Sequence, residues 1–174
     1  MAVLLKRLSA PTYWRIERKK FTWTITPRPG PHPKNFCIPL LIIVRDILRF
    51  AETAREAKRM IKSGEVMVDG KVRKDHRYPA GLFDVISFPK INKYFRIVPF
   101  KNGLKLVEIE EGEKNLKICK VRRKVKVGGG KLQLTLHDGK TLLTENNRIM
   151  PHDSLLIKLS LGELDLTSIY SILK

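Results

Sequence analysis

The chain has 174 residues, 43% of them hydrophobic, with 35 Lys and Arg against 17 Asp and Glu for a net charge of +18. That length supports one medium core or two small ones, and so basic a chain repels itself and seeks a polyanion, which points to nucleic acid rather than a small-molecule substrate. Only five apolar residues precede Lys6-Arg7 and no later run approaches bilayer length, so neither a secretory leader nor a membrane span is expected, while Cys37 and Cys119 are too few and too far apart for a zinc cluster and suit a reducing cytoplasm as buried thiols.

Residues 1–36 hold eight basic residues and one acidic one, in clusters such as Lys6-Arg7 and Arg18-Lys19-Lys20, followed by Arg28 and His32. Tyr13, Trp14, Phe21 and Trp23 lie among them, and then come Pro27, Pro29, Pro31 and Pro33. Proline at every second position removes backbone donors and blocks helix, so this segment is expected to be an extended basic arm. Its density of charge and shortage of aliphatic residues predict disorder in the free protein, with early proteolytic cuts before about Asn35 and ordering on RNA. Trp14 and Trp23 can serve as plates for unstacked bases or as anchors packed on the rest of the chain.

Residues 37–90 start with an apolar, helix-like run from Leu40. Thr53-x-x-Glu56 then opens a second helix, with the Thr hydroxyl capping the Glu56 amide and the Glu carboxylate reaching back to Thr53. The helix should end at Ser63-Gly64. Ala54, Ala57 and Ile61 share its inner face, and Arg55, Arg59 and Lys62 the opposite, cationic one. Val66 to Val72 alternates around Asp69-Gly70, a strong hairpin signal because both turn residues tolerate positive φ. Lys71, Arg73, Lys74 and Arg77 add cations on and after that hairpin.

From residue 91 to 174 the pattern alternates, with strands expected at Phe95–Val98, Leu104–Ile109, Leu116–Val121, Leu132–His137, Ser154–Leu159 and Leu164–Leu166. They read as a small antiparallel barrel or sandwich, giving an α+β chain of arm (1–36), helix-helix-hairpin module (37–90) and β domain (91–174). Arg122, Arg123, Lys124 and Lys131 surround Gly128-Gly129-Gly130, which serves either as a plain mobile hairpin or as a place where phosphate approaches the backbone. No catalytic site, cofactor or metal site is expected. The four histidines lack ligand spacing, and adjacent strand residues such as His137 and Asp138 point to opposite faces, so they flank a turn rather than form an acid–base pair.

The stretch from Leu40 to Phe88, closing with Tyr78-Pro79-Ala80-Gly81-Leu82-Phe83-Asp84-Val85-Ile86-Ser87, resembles the alpha-L RNA-binding motif of "S four" ribosomal proteins, pseudouridine synthases and tyrosyl-tRNA synthetases. Leu5-Lys6-Arg7-Leu8-Ser9-Ala10-Pro11 with Tyr13-Trp14, Pro27 to His32, and Gly129-Gly130-Lys131-Leu132-Gln133-Leu134-Thr135-Leu136-His137-Asp138-Gly139 are similar to blocks of the archaeal and eukaryotic "S four e" family of small-subunit ribosomal proteins. The resemblance implies binding to small-subunit rRNA, neighbouring ribosomal proteins as partners, a place in the cytoplasmic ribosome, and no enzymatic step. That family continues into a Gly-rich KOW-type barrel, and here the expectation is that the chain ends at Ile172-Leu173-Lys174 without one. The alternative is a free-standing module acting on non-ribosomal or stalled-ribosome RNA, against which the proline-stiffened arm argues.

Overall fold

A computed structural model describes residues 4–101, 103–160 and 163–173, with side chains through Leu159. Met1–Val3, which carry part of the expected short apolar start, and Lys174, at the expected end without a barrel, lie outside the described residues. The N-terminal segment is not an extended arm. Strands β1 (Leu4–Lys6) and β2 (Trp23–Ile25) pair antiparallel, and short 3-10 turns at Arg7–Ser9 and Thr12–Trp14 fold the chain between them.

Burial explains why the segment folds despite its charge. Trp14 is fully buried, its indole N–H donates to the Cys37 carbonyl at 2.9 Å, and Ala10 and Ile25 join the larger core. A buried aromatic of this size contributes about 3–5 kcal/mol against truncation to Ala, enough to offset ordering of a few residues. Trp14 is therefore an anchor, while Trp23 remains half exposed. Gly103, at φ +134°, lets the Tyr13 backbone approach so closely that a Cβ there would sit 2.6 Å from the Tyr13 Cα.

Strand β3 (Cys37–Pro39) leads into helix α1 (Leu40–Ile42), which widens into a π-helical turn at Ile43–Ile47. Leu40 through Val44 are all buried, so this helix lies inside the core rather than on its surface. Helix α2 (Ala54–Lys62) starts where the capping signal places it: the Thr53 hydroxyl accepts from the Glu56 amide at 3.2 Å. The Glu56 carboxylate, however, accepts from the Glu52 amide at 3.0 Å and not from Thr53, so the reciprocal bond falls one residue earlier than expected. Ala57 and Ile61 are buried and Ala54 is partly buried.

Strands β4 (Met67–Val68) and β5 (Lys71–Val72) form the tight hairpin, with Asp69 at φ 51° and Gly70 at φ 75°. Strand β6 (Pro79–Gly81) pairs with β3, and β7 (Val85–Phe88) pairs with β4. Then β8 (Lys93–Phe100) and β9 (Gly103–Ile109) extend the same sheet in the order β5-β4-β7-β8-β9. The sheet thus crosses the boundary expected after residue 90, because alternation alone reports a strand and not its partner.

The second sheet comprises β10 (Leu116–Lys126), β11 (Leu132–Leu136), β12 (Thr141–Thr144), β13 (Ser154–Ser160) and β14 (Glu163–Leu173), ordered β12-β11-β10-β13-β14. β10 pairs with β13 through residues 116–120 and with β11 through residues 121–126, with a register shift between Val121 and Arg123. This stagger curls the sheet until its outer strands β12 and β14 approach each other, a half-barrel rather than a sandwich. Its core contains Cys119, Val121, Leu134, Leu136, Leu142, Ile149, Leu155 and Ile157. Burial pushes the Cys37 and Cys119 thiols up to about 12, so both stay protonated and pack as small apolar groups.

Candidate nucleic-acid interface

The cationic face of α2 forms as its spacing predicts. Arg55, Lys58, Arg59 and Lys62 are exposed, and Arg55, Arg59 and Lys62 make no ion pair among the described residues. The hairpin exit runs alongside. His76 is held below its ordinary value by burial and then by the nearby positive charge of Lys58, against the opposing charge of Asp75, with further contributions from Arg77 and Lys62. Lys71 and Lys74 are exposed there, while Arg73 stacks over the Tyr78 ring at 4.6 Å. The module thus presents exposed basic side chains on both the helix and the short hairpin.

Several predicted contacts have other roles. Arg7 is 1% exposed: its guanidinium binds Asp46 at 2.6 Å and the Glu17 carbonyl at 2.5 Å, so it anchors the N-terminal segment to the helix region and cannot reach phosphate. His32 is also buried, with its Nε2 3.0 Å from the Asp84 carboxylate. Gly81 makes room for it, since a Cβ there would lie 2.2 Å from the imidazole. Lys124 donates to Asn147 and the Ile149 carbonyl and so closes a loop of the half-barrel. Arg77 donates to the Thr26 carbonyl at 2.9 Å, Arg18 donates to the Leu8 carbonyl at 2.8 Å, and Arg28 pairs with Asp75 while remaining largely exposed. Lys6, Lys19, Arg122, Arg123 and Lys131 are exposed, and Lys20 makes a loose surface pair with Glu17 at 3.5 Å.

One group escaped sequence reasoning altogether. Lys117 on β10 is fully buried, and its ammonium donates to Asp69 at 2.5 Å, Asp84 at 2.6 Å and Asp138 at 3.1 Å. Lys140 adds a contact to Asp69 at 3.2 Å. The remaining oxygens are used as well: Asp69 accepts from the Val85 amide, Asp84 from the Gly81 amide and Asp138 from the Lys140 amide. Burial opposes charge at Asp84 and Asp138, but the Lys117 ammonium and these hydrogen bonds hold both below the usual carboxylate range. The carboxylates in turn hold the Lys117 ammonium well above its usual value. The cluster fixes the hairpin turn at Asp69 and the turn at Asp84 against the half-barrel, and His32 joins the N-terminal segment to it. The basic surface is therefore mounted on a frame whose parts meet at one buried cation.

The cation pairings of two exposed aromatic rings were also missed. Phe21 is approached by the guanidinium groups of Arg7 at 5.3 Å and Arg45 at 5.2 Å, and Arg15 lies 4.3 Å from the ring centre of Phe100. These pairings join residues distant in the chain, so no local pattern announces them. Among the described residues, no group of three or more His, Cys, Asp or Glu could hold a metal ion, and no helix is long and apolar enough to cross a membrane.

Three family models match in succession: an RS4NT domain over residues 4–35, an S4 domain over residues 39–86 and the ribosomal family S4e over residues 91–164. The crystal structure of the 30S ribosomal protein S4e from Thermoplasma acidophilum superposes with a TM-score of 0.64 at 32% identity, over 79% of this chain and 68% of that one. The chain belongs to the S4e family of ribosomal proteins. Small ribosomal subunit protein eS4 of Ignicoccus hospitalis is 49% identical over 140 residues, covering 80% of this chain and 55% of that protein. The eS4 of Caldivirga maquilingensis is 43% identical over 152 residues, covering 87% of this chain and 64% of its own length. The chain thus spans between about half and two thirds of these curated S4e relatives, and its three matched segments follow the order in which the basic surface and its frame are built.

Proposed function

We propose that this S4e-family chain is a structural constituent of the small ribosomal subunit in the cytoplasm, binding rRNA without any chemical step and contacting neighbouring ribosomal proteins. The observation that carries the reading is the face of α2, where Arg55, Arg59 and Lys62 stand exposed and unpaired among the described residues, on a helix whose other side is locked into the core by Ala57 and Ile61. Such a surface neutralises phosphates at fixed spacing and recognises the shape of folded RNA. The helix, the hairpin and the closing β7 strand are read as an alpha-L module. Lys71, Lys74 and Arg73 extend its surface, and Lys6, Lys19, Lys20, Arg28, Arg122, Arg123 and Lys131 supply further phosphate contacts on the N-terminal segment and half-barrel.

Co-sedimentation tests this directly. The full chain should remain with small subunits through a high-salt wash, and the variant carrying Arg55→Gln, Arg59→Gln and Lys62→Gln should be released at lower salt. Equal retention of both would remove the basis for the reading, and recovery with non-ribosomal RNA instead would favour a free-standing module.

A further inference from the structure

A groove of about 270 Å³ opens where the N-terminal segment, the module and the half-barrel meet, away from the α2 face. Its wall on β10 follows strand alternation: Lys117, Cys119 and Val121 turn inward, while Ile118, Lys120 and Arg122 line the groove side. Two rings complete the wall. Phe83 and His137 meet edge to face with centres 6.5 Å apart, and Phe36 stands at the lip with 62% of its surface exposed.

His137 is fixed as a neutral ring. Its Nδ1 accepts from the Lys120 amide at 3.2 Å, which leaves Nε2 as the nitrogen that carries the proton and donates to the Leu82 carbonyl at 3.3 Å. Burial, the leading influence, holds it below the ordinary histidine value. With both nitrogens occupied, the imidazole offers the groove an uncharged aromatic surface. The side chains of Lys120 and Arg122, by contrast, are exposed and make no ion pair or hydrogen bond among the described residues.

An apolar, ring-lined slot with two free cations at its mouth complements a ligand that is flat and apolar at one end and anionic at the other. Size narrows the choice. One turn of α-helix, about 10 Å wide and about 5.4 Å long, occupies more than the groove holds. We propose that the groove receives one unstacked nucleotide of a looped or single-stranded RNA, its base among Ile118, Phe83, His137 and Phe36 and its phosphate between Lys120 and Arg122. The assignment rests on the RNA-binding reading above and adds to it a site that selects unpaired over helical RNA.

Nuclear magnetic resonance on the full chain tests it, with AMP, UMP, ribose 5-phosphate and an acidic aromatic peptide as separate probes. AMP and UMP should shift the His137 ring and Ile118 methyl signals, whereas ribose 5-phosphate should shift only Lys120 and Arg122. Lys120→Gln with Arg122→Gln, both exposed and away from the cores, should raise the dissociation constant for AMP about tenfold. Phe36→Ala should raise it by roughly fivefold or more through lost stacking. Absence of shifts at His137 and Ile118 with either nucleotide would overturn the proposal, as would shifts produced by the peptide alone. Affinity for an rRNA duplex, measured in parallel, separates the two readings: duplex binding retained without nucleotide shifts removes the groove assignment only, and loss of duplex binding removes the broader function.

Discussion

Lys117 and Lys62 are the same residue type in chemically opposite positions. Lys62 lies on the outer face of a helix, exposed and without an ion pair among the described residues. Lys117 sits in the interior with its ammonium divided among three carboxylates, and nothing of it is left for RNA. The difference teaches that net charge measures attraction to a polyanion only after the buried, compensated charges are set aside. Arg7, paired with Asp46 in the interior, belongs with Lys117 in this respect.

The largest effect should come from breaking the buried side of the comparison. Lys117→Gln leaves Asp69, Asp84 and Asp138 facing one another without their central cation, and should cost about 3–5 kcal/mol in urea unfolding. Arg59→Gln should change stability by no more than about 0.5 kcal/mol. Similar losses for both would mean that the buried cluster holds nothing together.

On the exposed side, changing Arg55, Arg59 and Lys62 together to Gln should leave the unfolding curve in place. If all three touch phosphate, rRNA affinity should fall about a hundredfold near physiological salt, and the slope of log affinity against log salt should become shallower by roughly 2–3 units. An unchanged slope would assign these residues to an ordinary solvated surface.

Gly81→Ala attacks the frame more gently. The added methyl would strike the His32 ring and push it off Asp84, with an expected cost of about 1–3 kcal/mol. Limited proteolysis should then cut the first 36 residues sooner than in the parent, and equal resistance would show that this contact does not hold the segment down.

The smallest effect concerns acid. Asp84 and Asp138 have folded values depressed below the ordinary 3.8, so the stability they contribute is fully present above that value. It declines below about pH 4, where the unfolded chain takes up protons first, and is lost as pH falls through the depressed folded values. The part of the pH dependence of the parent's urea midpoint that disappears in Asp84→Asn with Asp138→Asn, where neither side chain titrates, should therefore be level from pH 7 to about 4 and fall only below it. A decline beginning near pH 6 would contradict the assignment.

Legibility in the sequence follows the range of the interactions. Thr53, Glu56, Ile61, Asp69 and Gly70 act within a few residues of themselves, and so α2, its basic face and the hairpin can be read from spacing. The β strands after residue 91, the four-residue β12 excepted, are legible as strands for the same reason. Their partners are not: β8 belongs to the module's sheet because its edge matches β7, a relation that alternation cannot encode. The N-terminal segment misleads because its proline and charge are conspicuous, whereas burial of Trp14 depends on Cys37 and on Tyr13 meeting Gly103. His32 and Arg7 look like phosphate ligands until Asp84 and Asp46 are placed beside them. Asp69 and Asp138 do carry a signal, as Asp-Gly turns, but their second task appears only when two hairpins converge on Lys117.

The contact between Tyr13 and Gly103 has a consequence for how the chain is made. Synthesis proceeds from the N-terminus, and at about 5–20 residues per second the glycine emerges roughly 5–18 s after the tyrosine. Until then the side of Tyr13 that meets β9 has no partner, although partners for Trp14 and Arg7 have already been made. The contacts of Trp14 with Cys37 and of Arg7 with Asp46 thus become available well before the one at Gly103, and the completed strand β9 marks the moment at which Tyr13 can settle.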